Sequence, residues 1–596
     1  MPTSQAALQV SEPPGQEEVR AQVERILASR IFSRSGRLNR FLRFAVEQAL
    51  SGCADHLKEQ LIGVEVFDRK PDYDPRIDPI VRVEARRLRS KLKAYYASPG
   101  RADFLVLAFP KGSYVPTFKC RTTLAAEPRI ASVEKPSGER SIVVLPFTNL
   151  TPLAGDDYFS DGLTEELIHL LTRIPELRVL AWNTASQLRG REQDFAGIRQ
   201  ELKVGTVLRG AVRRTESRVR VTVQLIDAES GAYLWSDAYD RELQNVVAIQ
   251  EEMATAIVNT LRLKLTWQGG AKARKSADIA CYNLCLQGRF HANKRTRDGL
   301  QQSARCFEEA IAVDASCAEA FAGLADAYSL LAEHSFLDPV EAVPRARAAA
   351  EKALALDPQS GEAHVSLAYI CAQFDWKWAQ AEALYRRAIA LNPGYSRAHH
   401  WFGQDFLAPL GRFDEALSEI RLARHLDPLS QMIMEGVGYI HMLRRDYARA
   451  LDEYQQVVAL DPMFYRVYSS IGRVLNLMGR HSEAIASYEK ARSLGGDAPR
   501  VLAALGQTLA QAGFTWEARA LLDQLHSMAS QKWVSLVCFT IVHIGLGEHE
   551  PALDYLEAAC DKRELAVTSL ITHPLYDPLR SEPRFQGLLE RINFLR

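Results

Sequence analysis

The spacing of apolar residues changes along the 596-residue chain, and each spacing indicates a different structure. Up to about residue 100, apolar positions recur every three or four residues, which predicts amphipathic helices. Residues 141–147 (SIVVLPF) are almost continuously apolar, as in a strand buried on both faces, and residues 218–225 alternate, as in a half-buried strand. From about residue 280 a helical spacing returns and repeats itself. The pattern therefore predicts a helical block, a mixed α/β block and an all-α block.

The first block covers residues 19–118 and follows a polar stretch, residues 1–18, that we expect to be disordered. Its apolar positions predict three helices, the last of them within residues 78–93 (DPIVRVEARRLRSKLK). Two short strands should follow, joined by a turn at residues 110–113 (PKGS). The predicted order of elements is thus helix, helix, helix and β-hairpin.

The third helix carries the strongest functional signal of this block. Asp78 suits its N-cap and Pro79 its first turn. Apolar residues occupy one face, and an adjacent arc carries four cations: Arg82, Arg86, Arg89 and Lys93. Such a helix can pack on a core while its cations reach DNA, with a slope of about −3 to −4 in log K against log[salt] if all four contact phosphates. The alternative is a solvated basic face on a surface helix.

Residues 81–92 (VRVEARRLRSKL) and 106–114 (VLAFPKGSY) resemble the winged helix-turn-helix output domains of OmpR/PhoB-type response regulators. The resemblance implies a winged-helix fold that binds DNA through the third helix. It also implies that Lys111, at the tip of the wing, contacts a phosphate, and an exposed turn lysine is the alternative. The sequence departs from the family in the long loop before the third helix and in the wing, where Lys-Gly-Ser replaces glycine-x-glycine.

A linker, residues 119–140, should lead to the second block, residues 141–268. We expect this block to contain a β-α-β unit, a meander of three strands and a closing amphipathic helix. Four of its segments resemble the N-terminal α/β domain of TolB-like and FlgO-like bacterial proteins: VVLPFTN, FSDGL, LRGAV and LWSDAYD. The resemblance implies a small α/β fold and no reaction.

Two groups of possible metal ligands lead to no metal prediction. Asp156, Asp157 and Asp161 lie close in sequence without EF-hand spacing or a histidine, which favours a loop and a helix N-cap over a cation site. The nine cysteines lack the spacing of a disulfide framework, and buried free thiols are favoured over metal or disulfides even for Cys281 and Cys285. We therefore predict no metal and no cofactor.

The third block repeats with a period of 34 or 35 residues. Asp-Pro or Asn-Pro turns recur at residues 357, 392, 427 and 461, and small residues such as Gly438 and Gly472 recur where paired helices must approach closely. This pattern resembles the tetratricopeptide repeat (TPR), in about seven or eight units over residues 280–562, followed by a helical cap, residues 563–596. The predicted fold is therefore multidomain: a winged helix-turn-helix, a small TolB-like α/β domain and an all-α TPR superhelix.

The TPR resemblance implies that peptides or protein segments bind in a concave groove. The matching positions hold Tyr439, Met442, Arg466, Arg473, Asn476, Arg500 and Gln507. The forked guanidinium groups of the three arginines suit carboxylates of a partner. Solvated surface arginines are the alternative.

The charge distribution fits two kinds of partner. Net charge is zero, but residues 1–120 hold 20 Lys and Arg against 14 Asp and Glu, whereas residues 276–596 hold 32 against 39. A basic end suits nucleic acid and a mildly acidic end suits proteins. Because the N-terminus does not resemble a signal peptide and no apolar run is long enough to span a membrane, we predict a cytoplasmic protein without a membrane partner.

The sequence lacks the GxxxxGK[ST], GxGxxG, HExxH and CxxC motifs of common enzyme classes. Cassettes like residues 141–596 are also found joined to class III adenylate cyclase domains in related bacterial proteins, but the three blocks leave no room for such a domain. We therefore predict a non-enzymatic regulator that binds DNA through its winged helix and protein partners through its TPR superhelix. The alternative is a TPR interaction scaffold without DNA binding.

Overall fold

A computed structural model shows that the chain folds into two compact units, residues 1–133 and residues 134–596. The structure describes residues 16–29, 32, 35–51, 56–70, 73–74, 78–97, 103, 105–110, 113–120, 140–151, 157–215, 217–242, 246–261, 279–334 and 336–592.

The first unit contains four helices followed by a β-hairpin. The elements are α1 Gln16–Ala28, α2 Gly36–Leu50, α3 Glu59–Phe67, α4 Ile80–Ala97, β1 Leu105–Ala108 and β2 Thr117–Cys120. The two strands pair antiparallel. One apolar core joins all four helices to the hairpin, and its buried members include Ile26, Phe41, Ile62, Leu88 and Leu107.

Three expectations about this unit change. α1 begins at Gln16, inside the stretch expected to be disordered, and residues 1–15 lie outside the described residues. α1 and α2 are separate helices, so four rather than three helices precede the hairpin. β2 ends at Cys120, two residues into the expected linker, whose residues 121–139 also lie outside the described part of the chain.

The second unit begins with a mixed sheet, which has six strands among the residues described. The strands are β3 Arg140–Val144, β4 Thr148–Asn149, β5 Leu177–Val179, β6 Thr206–Arg214, β7 Arg218–Asp227 and β8 Tyr233–Glu242. Their order is β5-β3-β6-β7-β8, with β4 pairing beside β3 on β6. β3 runs parallel to β5 and β6, and β6 to β8 form the predicted antiparallel meander. Four helices accompany the sheet: α5 Asp157–Thr172, α6 Trp182–Ser186, α7 Phe195–Leu202 and α8 Val246–Thr260.

Helical hairpins follow, and the described residues contain eight of them. Their helices are α9 Ile279–Ala292, α10 Arg297–Val313, α11 Ala318–Glu333, α12 Pro339–Leu356, α13 Gly361–Gln373, α14 Trp378–Leu391, α15 Ser396–Trp401, α16 Phe413–Leu426, α17 Gln431–Leu443, α18 Tyr447–Leu460, α19 Tyr465–Leu477, α20 His481–Gly495, α21 Pro499–Gln511, α22 Thr515–Ala529, α23 Leu536–Leu546 and α24 His549–Asp561. α15 continues as a π-helical turn, Phe402–Leu407. Close approach within a hairpin requires glycine, since a Cβ on Gly438 would lie 2.3 Å from the Tyr454 ring.

The α/β part of the second unit is hydrogen-bonded to the end of α16 and to the turn that follows this helix. Asp427, in the turn after α16, is fully buried and accepts hydrogen bonds from the Thr184 hydroxyl at 2.7 Å and the Asn183 amide at 3.0 Å. The Arg178 guanidinium donates to the His425 carbonyl at 2.8 Å. Because buried polar groups require partners, these bonds fix where the sheet lies on the repeats.

The predicted C-terminal cap consists of two 3₁₀ helices, Leu565–Ile571 and Pro574–Leu579, and α25 Pro583–Arg591. Its apolar side chains pack with α23 and α24 and with Trp376 in one cluster. The cap is therefore part of the core of the repeat array, and its polar contacts are described with the groove below.

Candidate functional site

α4 is the helix on which the sequence places the DNA contacts. Its start agrees with the predicted cap, because the Asp78 carboxylate accepts the Ile80 amide at 3.1 Å. Val81, Leu88 and Leu92 are buried in the unit's core, as the apolar face requires.

Two of the predicted contacts, Arg82 and Arg86, lie on the exposed side of α4. The Arg82 guanidinium pairs with Glu59 of α3 at 3.1 Å, with 53% of its side chain exposed. Arg86 is exposed and makes no hydrogen bond or ion pair with any described residue. An exposed ion pair contributes about 0–1 kcal/mol, so the Arg82 side chain can exchange Glu59 for another anion at little cost.

Arg89 has a different position from the one the helical spacing suggested. Its guanidinium is half-buried and donates to the carbonyls of Phe109, at 3.1 Å, and Ser113, at 2.9 Å. Tyr114 of the same hairpin donates its hydroxyl to Glu59, which also holds Arg82. Arg89 thus attaches the hairpin to α4, a role that a helical wheel cannot show because the acceptors are 20 or more residues away.

The structure does not describe the side chains of the other two predicted DNA contacts, Lys93 and Lys111. Lys93 lies within α4, but its side chain is not among those described, and Lys111 lies outside the described residues. Their DNA contacts stay predictions.

In the repeats, the structure brings together Tyr439 of α17, Arg473 of α19 and Arg500 of α21. Burial raises the pKa of Tyr439 to about 12, and the cations Arg473 and Arg500 lie near enough to oppose that shift. Arg500 is exposed and has no hydrogen-bond or ion-pair partner within the described part of the chain. These three residues therefore lie near one another, and the expectation that they line a peptide groove stays a prediction.

Arg466 of α19 lies near Asp405, which also lies near Tyr439. Its Nη1 lies 3.4 Å from His334 Nδ1 at the end of α11, so the first helices of two hairpins that are far apart in the sequence approach each other here. Two carboxyl groups accompany it that the sequence did not single out, Asp405 in the π-helical turn and Glu435. Burial and Glu333 raise the pKa of Asp405 well above its ordinary value, whereas Arg466 acts to lower it. Burial thus favours the uncharged form of Asp405 beside the cationic Arg466.

Asn476, one turn after Arg473 on α19, lines a cleft of about 370 Å³. Its amide donates to Gln511 at 2.8 Å, and its oxygen lies 2.9 Å from His481 Nδ1. The residues that line this cleft belong to α19, α20, α21, the turn between α19 and α20, and the cap: Asn476, Leu477, Gly479, His481, Gln507, Gln511, Pro574, Leu575 and Pro578. The cleft is therefore bounded in part by the chain's own C-terminal segment.

The cap also contacts the predicted groove directly. The Arg445 guanidinium holds Asp577 through two bonds of 2.9 and 2.8 Å, and the Tyr439 ring lies 6.3 Å from the His573 ring. Burial and the nearby cations lower the pKa of His573 to about 3, so it is neutral near pH 7. The cap therefore lies against Tyr439, one of the residues predicted to line the groove.

One residue of the predicted groove has a clear outcome. Met442 is completely buried among the hairpins, so the expectation that it faces the groove is wrong.

The aspartates at the start of α5 have separate partners. The Asn149 amide donates to Asp157 at 2.9 Å, and Arg189 pairs with Asp161 at 2.6 Å. Asp156 lies outside the described residues. Asp157 is the first residue of α5, whereas Asp161 lies in the second turn of that helix, so the expectation that Asp161 is the helix N-cap is wrong.

Models of the tetratricopeptide repeat match residues 407–463 and 465–494, which include α16 to α20. These are the hairpins that carry Tyr439, Arg466 and Arg473. The chain contains tetratricopeptide repeats. They make a helical TPR superhelix of the C-terminal part and indicate protein partners.

Other similarities are more limited. Putative adenylate cyclase 3 of Rhizobium meliloti is 32% identical over 253 residues, which are 41% of this chain and 42% of that protein. The alignment thus spans less than half of the relative. Pseudomonas aeruginosa PilF (22% identity, 36% of this chain and 94% of that one, TM-score 0.28) and human IFIT1 (15%, 53% and 77%, TM-score 0.38) are similar structures. At these TM-scores neither supports a functional conclusion. Within the described residues, every helix is too short or too polar to cross a membrane.

Proposed function

We propose that this chain is a cytoplasmic, non-enzymatic regulator that binds DNA through a winged-helix N-terminal unit and protein segments through its TPR groove. The α/β sheet between them is, in this proposal, a TolB-like domain that positions the repeats. The observation that carries the proposal is the exposed arc of α4, where Arg86 is exposed and unpaired among the described residues and Arg82, 53% of whose side chain is exposed, pairs with Glu59.

The hairpin beside α4 adds support to the DNA-binding part. Arg89 and Tyr114 hold it against the helix, so the hairpin and the arginine arc form one continuous surface. A rigid scaffold of this kind lets phosphate contacts fix the register of a helix on DNA. Arg86 and Arg82 then supply the phosphate contacts, and Arg89 maintains their geometry.

DNA binding can be tested with the full chain and a fluorescent duplex, by anisotropy at two salt concentrations. We expect salt-dependent binding that Arg86→Ala weakens several-fold, with a salt slope less steep by about 1. Arg43→Ala is the matched control, because Arg43 is also exposed and is paired with Glu24 at 2.8 Å. Equal effects of the two variants, or binding that does not respond to salt, would leave the interaction scaffold without DNA binding as the better function.

The groove part of the proposal rests on Arg500 and on the cleft beside Asn476. A photo-crosslinking amino acid at residue 507, which lines the cleft, should capture a protein partner in cells, and Arg500→Glu should abolish that product. The same probe at Lys490, exposed on α20, is the control and should give no such product. Identical products from both positions would contradict a specific groove.

Cyclase activity is a second candidate function, and its only support is the name of the relative. We propose that the matched residues belong to its non-catalytic part, since they make up 42% of that protein. Incubation of the full chain with ATP and a divalent metal, followed by measurement of cyclic AMP, tests this directly. Cyclic AMP above the level of a heat-inactivated sample would overturn the non-enzymatic proposal.

A further inference from the structure

Three cysteine side chains converge where the repeat array begins. Cys281 and Cys285 lie one turn apart on α9, and Cys317 occupies the N-cap of α11. Their sulfur atoms all lie within 4.8 Å of one another, and those of Cys285 and Cys317 are 3.9 Å apart. In the part of the chain that the structure describes, no other group of three or more cysteine, histidine or carboxylate side chains converges in this way.

The position of Cys317 is not explained by helix capping. At the same place in later hairpins, Ser360 and Ser430 accept the backbone amides of Ala363 and Ile433 with their hydroxyls. Cys317 makes no side-chain capping bond. Replacing a capping serine by a residue that cannot cap costs about 1 kcal/mol, so α11 lacks a stabilising contact that α13 and α17 have. Its sulfur instead reaches the two thiols of α9.

We propose that Cys281, Cys285 and Cys317 form a binding site for a thiophilic divalent cation of the zinc type. Sulfur ligands at ~2.3 Å from a tetrahedral zinc ion lie ~3.8 Å from one another, close to the observed separation of Cys285 and Cys317. The third sulfur needs only a small side-chain adjustment, since it already lies within 4.8 Å. Soft thiolate ligands select such ions over magnesium or calcium.

The surroundings suit a cation site close to the surface. Cys317 is partly exposed and follows two exposed residues, Ala315 and Ser316, so an ion can enter from the turn. Asp314, at the start of that turn, lies near enough to Cys281 to act on it electrostatically. Its Oδ1 accepts the Ser316 amide and hydroxyl, and the carboxylate or a water molecule can complete a four-ligand shell.

Binding would replace three S–H bonds with three metal–sulfur bonds and release three protons to solvent, without any change of oxidation state. The ion would tie α9 to α11 across the first hairpin. α9 also carries Tyr282 and Leu286, which pack in the core of the α/β sheet. A cation at this point would therefore stabilise the junction between the sheet and the repeats.

The test uses the full chain, reduced and stripped with a chelator, and titrated with Zn²⁺ against a chromophoric chelator. Cd²⁺ replaces Zn²⁺ in a second titration, because the intensity of its sulfur-to-metal charge-transfer absorption gives the number of bound thiolates. The key variant is Cys317→Ser, which installs the capping serine found at Ser360 and Ser430 and so preserves the start of α11. Cys371→Ala, which removes a buried cysteine outside the cluster, is the control.

We expect one equivalent of metal with three thiolate ligands in the wild type and in Cys371→Ala, and an affinity at least ~100-fold lower in Cys317→Ser. Zn²⁺ should also raise the melting temperature of the wild type but not of Cys317→Ser. No stoichiometric binding by a folded wild type, unchanged affinity in Cys317→Ser, or a Cys285–Cys317 disulfide found by mass spectrometry in place of metal would each overturn the proposal.

Discussion

The two units of this protein differ in how deeply the arginines of their arginine–carboxylate pairs are buried. In the first unit the arginine of each described pair is more than a third accessible, as between Arg43 and Glu24, where the side chains are 58% and 63% accessible. The second unit also has exposed pairs, but its Arg289–Glu166 pair, at 2.5 Å, is only 12% and 9% accessible. Exposed pairs are worth about 0–1 kcal/mol and are screened by salt, whereas breaking a buried pair costs several times more.

The difference bears on what each unit can bind. Exposed cations are available to phosphates, and both Arg82, which pairs with Glu59, and Arg86, which has no partner among the described residues, are exposed. Arg289 inside the second unit joins α9 to α5 and α13 through Glu166 and Glu362, so it is committed to the structure. Among the predicted groove arginines, Arg500 is exposed and has no partner among the described residues, which makes it the one best placed to meet a ligand.

The largest effect is expected when a buried carboxylate of the second unit is removed. Asp427→Ala should lower the free energy of unfolding by about 2–4 kcal/mol, because the fully buried Thr184 hydroxyl loses its acceptor and the sheet loses its attachment to the repeats. Denaturant unfolding of the full chain, followed by circular dichroism, measures the loss.

Asp414→Ala is the matched control for that substitution. Asp414 also belongs to the repeats, but its side chain is 68% exposed and pairs with Arg444 on the surface. We expect a change of at most about 1 kcal/mol. Equal losses in the two variants would show that burial does not decide how much these carboxylates contribute.

A second, smaller effect concerns pH. Burial raises the pKa of Glu165 to about 7, although Arg289 and the Asn293 amide, which donates to it at 2.9 Å, favour the charged form. Because the pKa is higher in the folded state, the stability gained from protonated Glu165 is complete below its ordinary pKa and is lost as pH rises through about 7.

Glu165→Gln should therefore make the melting temperature less dependent on pH between about 4.5 and 7. Differential scanning fluorimetry at several pH values measures this, and Glu176→Gln, an exposed glutamate of the same α/β part, serves as the control. A pH dependence that is unchanged in Glu165→Gln and altered in Glu176→Gln would contradict the assignment.

The local elements could be predicted from the sequence, and the contacts between them could not. Apolar spacing and the Asp-Pro turns indicated the strand order of the meander and the hairpins of the repeats, because both depend on neighbouring residues. The bond from Thr184 to Asp427 and the pair of Arg445 with Asp577 join residues 243 and 132 positions apart. No local pattern encodes such distances.

The candidate sites show the same limit. The structure brings Tyr439, Arg473 and Arg500 near one another, and their role in a peptide groove stays a prediction, whereas Met442, which was expected to face the groove, packs inside. The repeat spacing also gave no sign that the cap lines the cleft beside Asn476, since a proline-containing tail has no repeat spacing of its own. On α4, the use of Arg89 by the hairpin became visible only in three dimensions.

The smallest expected effect is in the first unit, where a double-mutant cycle on Arg43 and Glu24 tests how exposed pairs behave. Arg43→Ala, Glu24→Ala and the double variant should give a coupling free energy of about 0–1 kcal/mol in denaturant unfolding, falling further at high salt. A coupling well above 1 kcal/mol would mean that exposed arginines of this unit are held firmly by their own carboxylates. Arg82 would then be less available to DNA than its exposure suggests, and the phosphate contacts of α4 would depend on Arg86 alone among its described side chains.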